Sequence, residues 1–143
     1  MIHDAHNLFS DAQAVTSNAA STNLIDLGSA RDIGVGENLY VVVTVDTTLA
    51  DTGSNSTVTV DVQSDDNSSF SSNTTAQTCF IIPAVTVAGS VFVAKLAPFT
   101  TAERYIRLFY TMTNGDLSAG AFTAFLTHDV QKYTSYADSI TIS

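Results

Sequence analysis

Between Ser56 and Ser64 the chain alternates, with Val58, Val60 and Val62 on one parity and Thr57, Thr59, Asp61 and Gln63 on the other. Successive side chains of an extended backbone point to opposite faces, so this pattern predicts a half-buried β-strand with its valines inward. The polar cluster Asp65-Asp66-Asn67-Ser68-Ser69 follows, then Phe70. Short polar side chains of this kind cap their own backbone in turns. The alternation returns from Arg104 to Met112, where Ile106, Leu108, Tyr110 and Met112 oppose Tyr105, Arg107, Phe109 and Thr111. This segment reads as the longest strand. Asn114-Gly115-Asp116 forms a turn, and Ala121 to Thr127 is expected to pair back, with Phe122, Ala124 and Leu126 on one face. Leu39 to Val45 is apolar on both parities, as in a strand covered on both faces.

Weaker patterns fill the gaps. Asn23 to Leu27 is a short strand closed by Gly28, while Thr78 to Ile82 and Ser90 to Leu96 are strands separated by Pro83 and Gly89. A polar stretch from Asp65 to Gln77 interrupts the strand pattern. Residues 1–21 follow neither a helical nor a strand period and read as an extended N-terminal arm. Residues 132–143 read as a short C-terminal tail with a weak strand at Ile140-Thr141-Ile142. Short strands between turn signals, without an amphipathic helix, predict an all-β, single-domain, jelly-roll-like antiparallel β-sandwich over residues 22–131. The paired cysteines and core tryptophan of antibody-type sandwiches are absent.

Composition narrows the function. The 143 residues are 45% hydrophobic and only 13% charged, enough apolar content for one packed core. Ser and Thr suit solvent-facing strand positions and turns, and they make up 36 residues. The formal charge is −9, and Arg31, Lys95, Arg104, Arg107 and Lys132 are scattered. Nucleic acid and anionic membranes are therefore disfavoured as partners. Cys79, the single cysteine, sits in the apolar run Cys79-Phe80-Ile81-Ile82 and reads as a small buried hydrophobe. The start lacks the basic and apolar regions of a signal peptide, and no window has the length of a membrane helix. Synthesis in a cytoplasm, without secretion by the ordinary route, is the expectation.

Candidate chemistry is thin. His3, Asp4 and His6 are metal-ligand types close together, but a chain terminus holds tetrahedral geometry poorly and no second cluster completes the set. Asp61, Asp65, Asp66 and Asn67 offer oxygen ligands without the spacing, glycine or terminal glutamate of a calcium loop, so a solvated turn is the better reading. His128-Asp129 has no nucleophile elbow to serve. The glycosylation sequons beginning at Asn55, Asn67 and Asn73 are what chance gives in a chain this rich in Asn, Ser and Thr. No cofactor, metal or enzymatic activity is expected. A glycan-binding β-sandwich is the alternative class, since jelly rolls host lectins, though tryptophan is absent.

Six segments, spread in order over nearly the whole chain, belong together: Phe9-Ser10-Asp11-Ala12-Gln13-Ala14, Ile25-Asp26-Leu27-Gly28, Arg31-Asp32-Ile33-Gly34, Val62-Gln63-Ser64-Asp65-Asp66 with Phe70, Arg104-Tyr105-Ile106-Arg107-Leu108 and Asp129-Val130-Gln131. Together they resemble the cement, or decoration, proteins of tailed-bacteriophage capsids, known from short-tailed phages such as those of Bordetella. The resemblance implies a jelly-roll protein on the outer surface of the virion capsid. Its partners would be the major capsid protein and itself, as a small homo-oligomer (dimer or trimer). Ile2, Leu8 and Phe9 on the arm, and Asp65, Asp66 and Phe70 at the turn, are the expected capsid or oligomer contacts. Arg104 and Arg107 are an odd number of residues apart, so they fall on opposite faces of one strand. One is expected to meet an acidic partner across an interface, the other to lie at a strand end or lay its stem over the sheet.

Overall fold

A computed structural model of the chain describes residues 4–30, 38–97 and 103–130. Ile2, His3, the segment 31–34 and the tail 132–143, all named above, lie outside the described residues. After a single 3-10 turn at Ala5–Asn7 come nine strands: β1 (Leu8–Ala14), β2 (Ala19–Ala20), β3 (Ile25–Asp26), β4 (Tyr40–Ala50), β5 (Thr57–Asp65), β6 (Thr74–Pro83), β7 (Val91–Lys95), β8 (Tyr105–Thr113) and β9 (Ala119–Thr127). Every pairing is antiparallel.

One sheet has the order β1-β9-β4-β7 and the other β2-β8-β5-β6, with β3 beside β8 as well. Strand β2 pairs with Tyr110 and Phe109 and β3 with Ile106 and Tyr105, so the two are halves of one interrupted edge strand. Counting them as one, the strand orders are those of a jelly roll, in which two Greek keys wrap into a double sheet. The expected all-β sandwich is the fold that forms. The β5–β6 loop lies at one end of it, with the end of β3 and the start of β8, and the β4–β5, β6–β7 and β8–β9 loops lie at the other.

The core lies between the sheets. Val58, Val60 and Val62 line up with Ile106, Leu108 and Tyr110 on one side, facing Val41, Val43, Val45, Phe122 and Ala124 on the other. The Tyr110 and Phe122 rings stack across the interface, 5.3 Å between centroids and 10° between planes. The Tyr110 hydroxyl is satisfied by the buried Ser10 Oγ at 2.8 Å, and burial pushes its phenol up to about 12. A buried polar pair of this kind fixes register because leaving either group unpaired is costly.

Three sequence expectations change. The first is the arm over residues 1–21. Residues 8–14 form β1, an edge strand bonded to β9, and Phe9 and Val15 are fully inside the core. Removing a phenylalanine of this kind from water is worth roughly 2–3 kcal/mol. The period was hidden because β1 shifts register twice, between Leu8 and Ser10 and between Ser10 and Gln13, with Ala12 at a φ of 44°. Each bulge resets the two-residue alternation. Gln13 then ties β1 to its successor, donating from Nε2 to the Ala20 carbonyl and accepting from the Thr22 N–H.

The second concerns Ala121 to Thr127, expected to pair back on Arg104–Met112 and found within β9. Strands β8 and β9 belong to different sheets, and Asn114 and Gly115, at φ values of 67° and 118°, turn the chain from one layer to the other. A turn dipeptide specifies reversal of direction, which crossing between layers satisfies as well as a hairpin does. The third is the polar gap from Asp65 to Gln77. Strand β6 begins at Thr74, and as an edge strand it pairs with β5 alone, so its early polar residues face solvent. A further change is that β4, with eleven residues, is longer than the nine-residue β8 and is the longest strand among the described residues.

Candidate functional site

The β5–β6 loop is organised by one carboxylate. Asp65, at the end of β5, accepts the Asn67 N–H at 3.0 Å on Oδ1 and the Ser72 N–H at 2.8 Å on Oδ2. Burial alone would raise its pKa, but these bonds, with support from the Asp66 and Ser72 side chains, hold it below the usual carboxylate value. Asn67 repeats the device, its Oδ1 accepting the Ser69 N–H at 2.9 Å. The loop therefore closes on itself and carries Phe70 back over the sheet. Phe70 is buried and adopts a φ of 51°, a left-handed backbone that L-residues with large side chains rarely take.

Phe70 lies beneath Arg107. The guanidinium of Arg107, from β8, sits 4.1 Å from the Phe70 ring centroid and 5.6 Å from that of Phe109. Its Nε donates to Gln63 Oε1 at 2.9 Å. This cover explains why Gln63, on the polar parity of β5, is nonetheless buried. Arg104, just before β8, makes a two-pronged ion pair with Asp26, Nε to Oδ1 at 2.8 Å and Nη2 to Oδ2 at 2.9 Å. Arg104 and the Gly28 N–H together pull the Asp26 carboxyl down to about 2.

At the other end of β6 the chain behaves differently. Ile81 on β6, Val85 and Val87 in the β6–β7 loop, and Val91 and Val93 on β7 are between 43% and 62% exposed. Strands β6 and β7 are the edges of their sheets on the same side of the sandwich, joined by a Phe80–Phe92 ring contact at 5.6 Å and by Gln77, which donates to the Lys95 carbonyl at 2.9 Å. Ile81 points outward from the five-stranded sheet, since its neighbour Ile82 is in the core, and Val91 and Val93 point outward from the four-stranded sheet, so exposed apolar side chains flank the β6–β7 corner of the sandwich on both outer faces. Val85 has a φ of 59°, which is unusual for a β-branched residue. Sequence reasoning passed over this group. The signal was there, in apolar Val85 and Val87 standing inside a turn bounded by Pro83 and Gly89.

Of the six expected contact residues, Leu8, Asp65, Asp66 and Phe70 come to one end of the sandwich, and Ile2 lies outside the described residues. Leu8 is half-buried opposite Phe125 on the outward face of the four-stranded sheet, while Asp66 is exposed. Phe9 is corrected: a side chain with no exposed surface in the core is not an anchor for a neighbour. Asp65 and Phe70 are engaged within their own loop, Phe70 by packing and Asp65 by accepting N–H donors.

The remaining chemistry is structural where it is described. Asp4 caps the 3-10 turn by accepting the His6 N–H at 2.9 Å. Asp61 accepts from the Thr78 hydroxyl at 2.6 Å. Burial, then the nearby Asp61 charge, pushes the half-buried Cys79 thiol up to about 12, which suppresses thiolate chemistry. His128 and Asp129 line two open surface clefts of about 400 and 480 Å³ at the end of β9.

Residues 9–126 match the Bbp16 family model, which describes a capsid cement protein family of Bordetella phage BPP-1. The chain belongs to the Bbp16 family. The match runs from Phe9 in β1 to Leu126 in β9, so it spans the sandwich from its first strand to its last. Membership of the Bbp16 family makes this a structural phage protein of the capsid cement type, associated with the capsid surface of the virion. Among curated proteins, none matches the sequence.

Proposed function

We propose that this chain binds the outside of a DNA-filled phage head, bridges neighbouring major capsid subunits and so stabilises the shell. The family match across the whole sandwich carries the reading. A ligand that binds the assembled lattice and not the free subunits shifts the equilibrium against disassembly by mass action, which needs no bond-making residue. The exposed apolar corner formed by Ile81, Val85, Val87, Val91 and Val93 supports it, because apolar groups left in water at one place mark an interaction surface. Bridging requires at least two contact surfaces. Leu8 and Asp66, at the opposite end of the sandwich, belong to the second.

The protein acts as a small homo-oligomer, so that individually modest contacts combine into durable attachment. Its net charge of −9 keeps it soluble at high copy number and off the genome. Co-sedimentation of the purified chain with DNA-filled heads and with empty precursors tests the reading. Saturable binding to filled heads, together with an increased temperature of DNA release, is the expected result. Binding to a glycan array without binding to heads would replace this function with that of a tail-fibre or adhesin module.

A further inference from the structure

We propose that Arg107, on the outer face of the five-stranded sheet, is a carboxylate-binding position that receives an Asp or Glu side chain of the capsid protein. The proposal deepens the cement reading and rests on it for the identity of the partner. Its basis is the contrast between two arginines. Arg104 has spent both prongs of its fork on Asp26. Arg107 uses only Nε, on the neutral amide of Gln63, and among the described residues its two Nη groups meet no acceptor.

The Arg107 guanidinium is nevertheless held in place. Phe70 packs at 4.1 Å and Phe109 at 5.6 Å, and the underlying Gln63 is itself buried. Burial is the largest influence on this group and works against its charge, and the single acidic influence on it is Asp65. That carboxylate stands beyond ion-pair distance of it and accepts the Asn67 and Ser72 N–H groups. A cation partly stripped of water, immobilised and with no carboxylate in contact among the described residues has already met much of the cost of forming an ion pair. Phe70 reaches this position only by adopting a left-handed backbone, and such strain persists where the surrounding structure has a use for it.

Charge decides the kind of anion. A chain of net −9 repels an extended polyanion, so one isolated cation flanked by aromatic rings suits a single planar carboxylate and not a nucleic-acid backbone. Paired Nη donors match the two oxygens of such a group. Arginine and aromatic residues clustered on one face are also the usual composition of an interface hot spot.

Two measurements test this. In the first, sodium acetate is titrated into the full-length protein while arginine side-chain nitrogen resonances are followed by NMR, with paired Arg104 as the internal control. The Arg107 Nη signals are expected to move and those of Arg104 to stay; equal movement of both, or none at Arg107, overturns the site. In the second, wild type, Arg107→Gln and Arg107→Lys are bound to heads stripped of cement protein, each first shown to melt as a folded protein. Losing the charge weakens binding about tenfold or more, while lysine, which keeps the charge and loses the fork, retains an intermediate affinity. Wild-type binding that is unchanged in Arg107→Gln overturns the site and leaves the cement reading standing. Absence of wild-type binding to heads overturns the cement reading and the assigned partner, with the acetate titration still deciding whether Arg107 takes a carboxylate. Loss of self-association in Arg107→Gln with unchanged head binding would assign the carboxylate to a second copy of this chain and overturn the capsid partner.

Discussion

The loops at the two ends of β6 solve opposite problems. The β5–β6 loop satisfies itself: Asp65 and Asn67 absorb its N–H donors, and its one large apolar residue, Phe70, is turned inward. The β6–β7 loop leaves Val85 and Val87 in water, between an exposed Ile81 and the exposed valines of β7. Both contain a non-glycine residue at positive φ, Phe70 in one and Val85 in the other. In the first, strain places a ring under Arg107. In the second, the strained residue leaves its apolar side chain in water. The first loop is thus expected to matter for folding as well as for what it presents through Asp66 and Arg107, and the second for binding alone.

The sharpest break between them is Phe70→Ala. Removing a buried ring from a site that collapses poorly costs about 3 kcal/mol, measured as a reduced denaturation midpoint. Val87→Ser, at an exposed position of the other loop, is expected to change stability by less than about 0.5 kcal/mol while weakening attachment to heads. Equal stability losses would erase the distinction between a structural loop and a binding loop.

That distinction was half legible in the chain itself. The alternation of Val58, Val60 and Val62 gave the core parity of β5, and the turn at Asp65–Ser69 followed from its Asx and Ser content. What could not be read was which outward residues are covered, because that depends on pairing across the sheet. Gln63 looked solvent-facing and is buried, since β8 places Arg107 opposite it and the loop brings Phe70 over both. Phe9 failed for a different reason: two register shifts in β1 erased the period that would have assigned it to the core. The same limitation hid the exposed apolar corner, whose residues lie on and between edges of two sheets that only the jelly-roll order brings to the same side.

Acid provides a second, smaller probe, because the β5–β6 loop hangs on a carboxylate and the β6–β7 loop, from Ala84 to Ser90, has no ionisable side chain. Asp65 has a lower pKa folded than unfolded. Its contribution to stability is present above the unfolded carboxylate value and is lost as the pH falls through the folded one. Between pH 6 and 2, the amide resonances of Asn67 and Ser72 are expected to shift together with the Asp65 titration, while those of Val85 and Val87 remain flat. In Asp65→Asn that titration should vanish from both amides.

The smallest effect has the opposite sign. Val85 is β-branched and sits at a φ of 59°, where its Cβ crowds the backbone, whereas asparagine tolerates this conformation. Val85→Asn is therefore expected to raise stability by roughly 0.5–1 kcal/mol, read as an increased melting temperature. The same variant should attach less well to heads, because the apolar surface at the corner has been reduced. If Val85→Asn stabilises the protein and binding to heads is undiminished, the exposed corner is not the contact, and the comparison of the two loops loses its functional half.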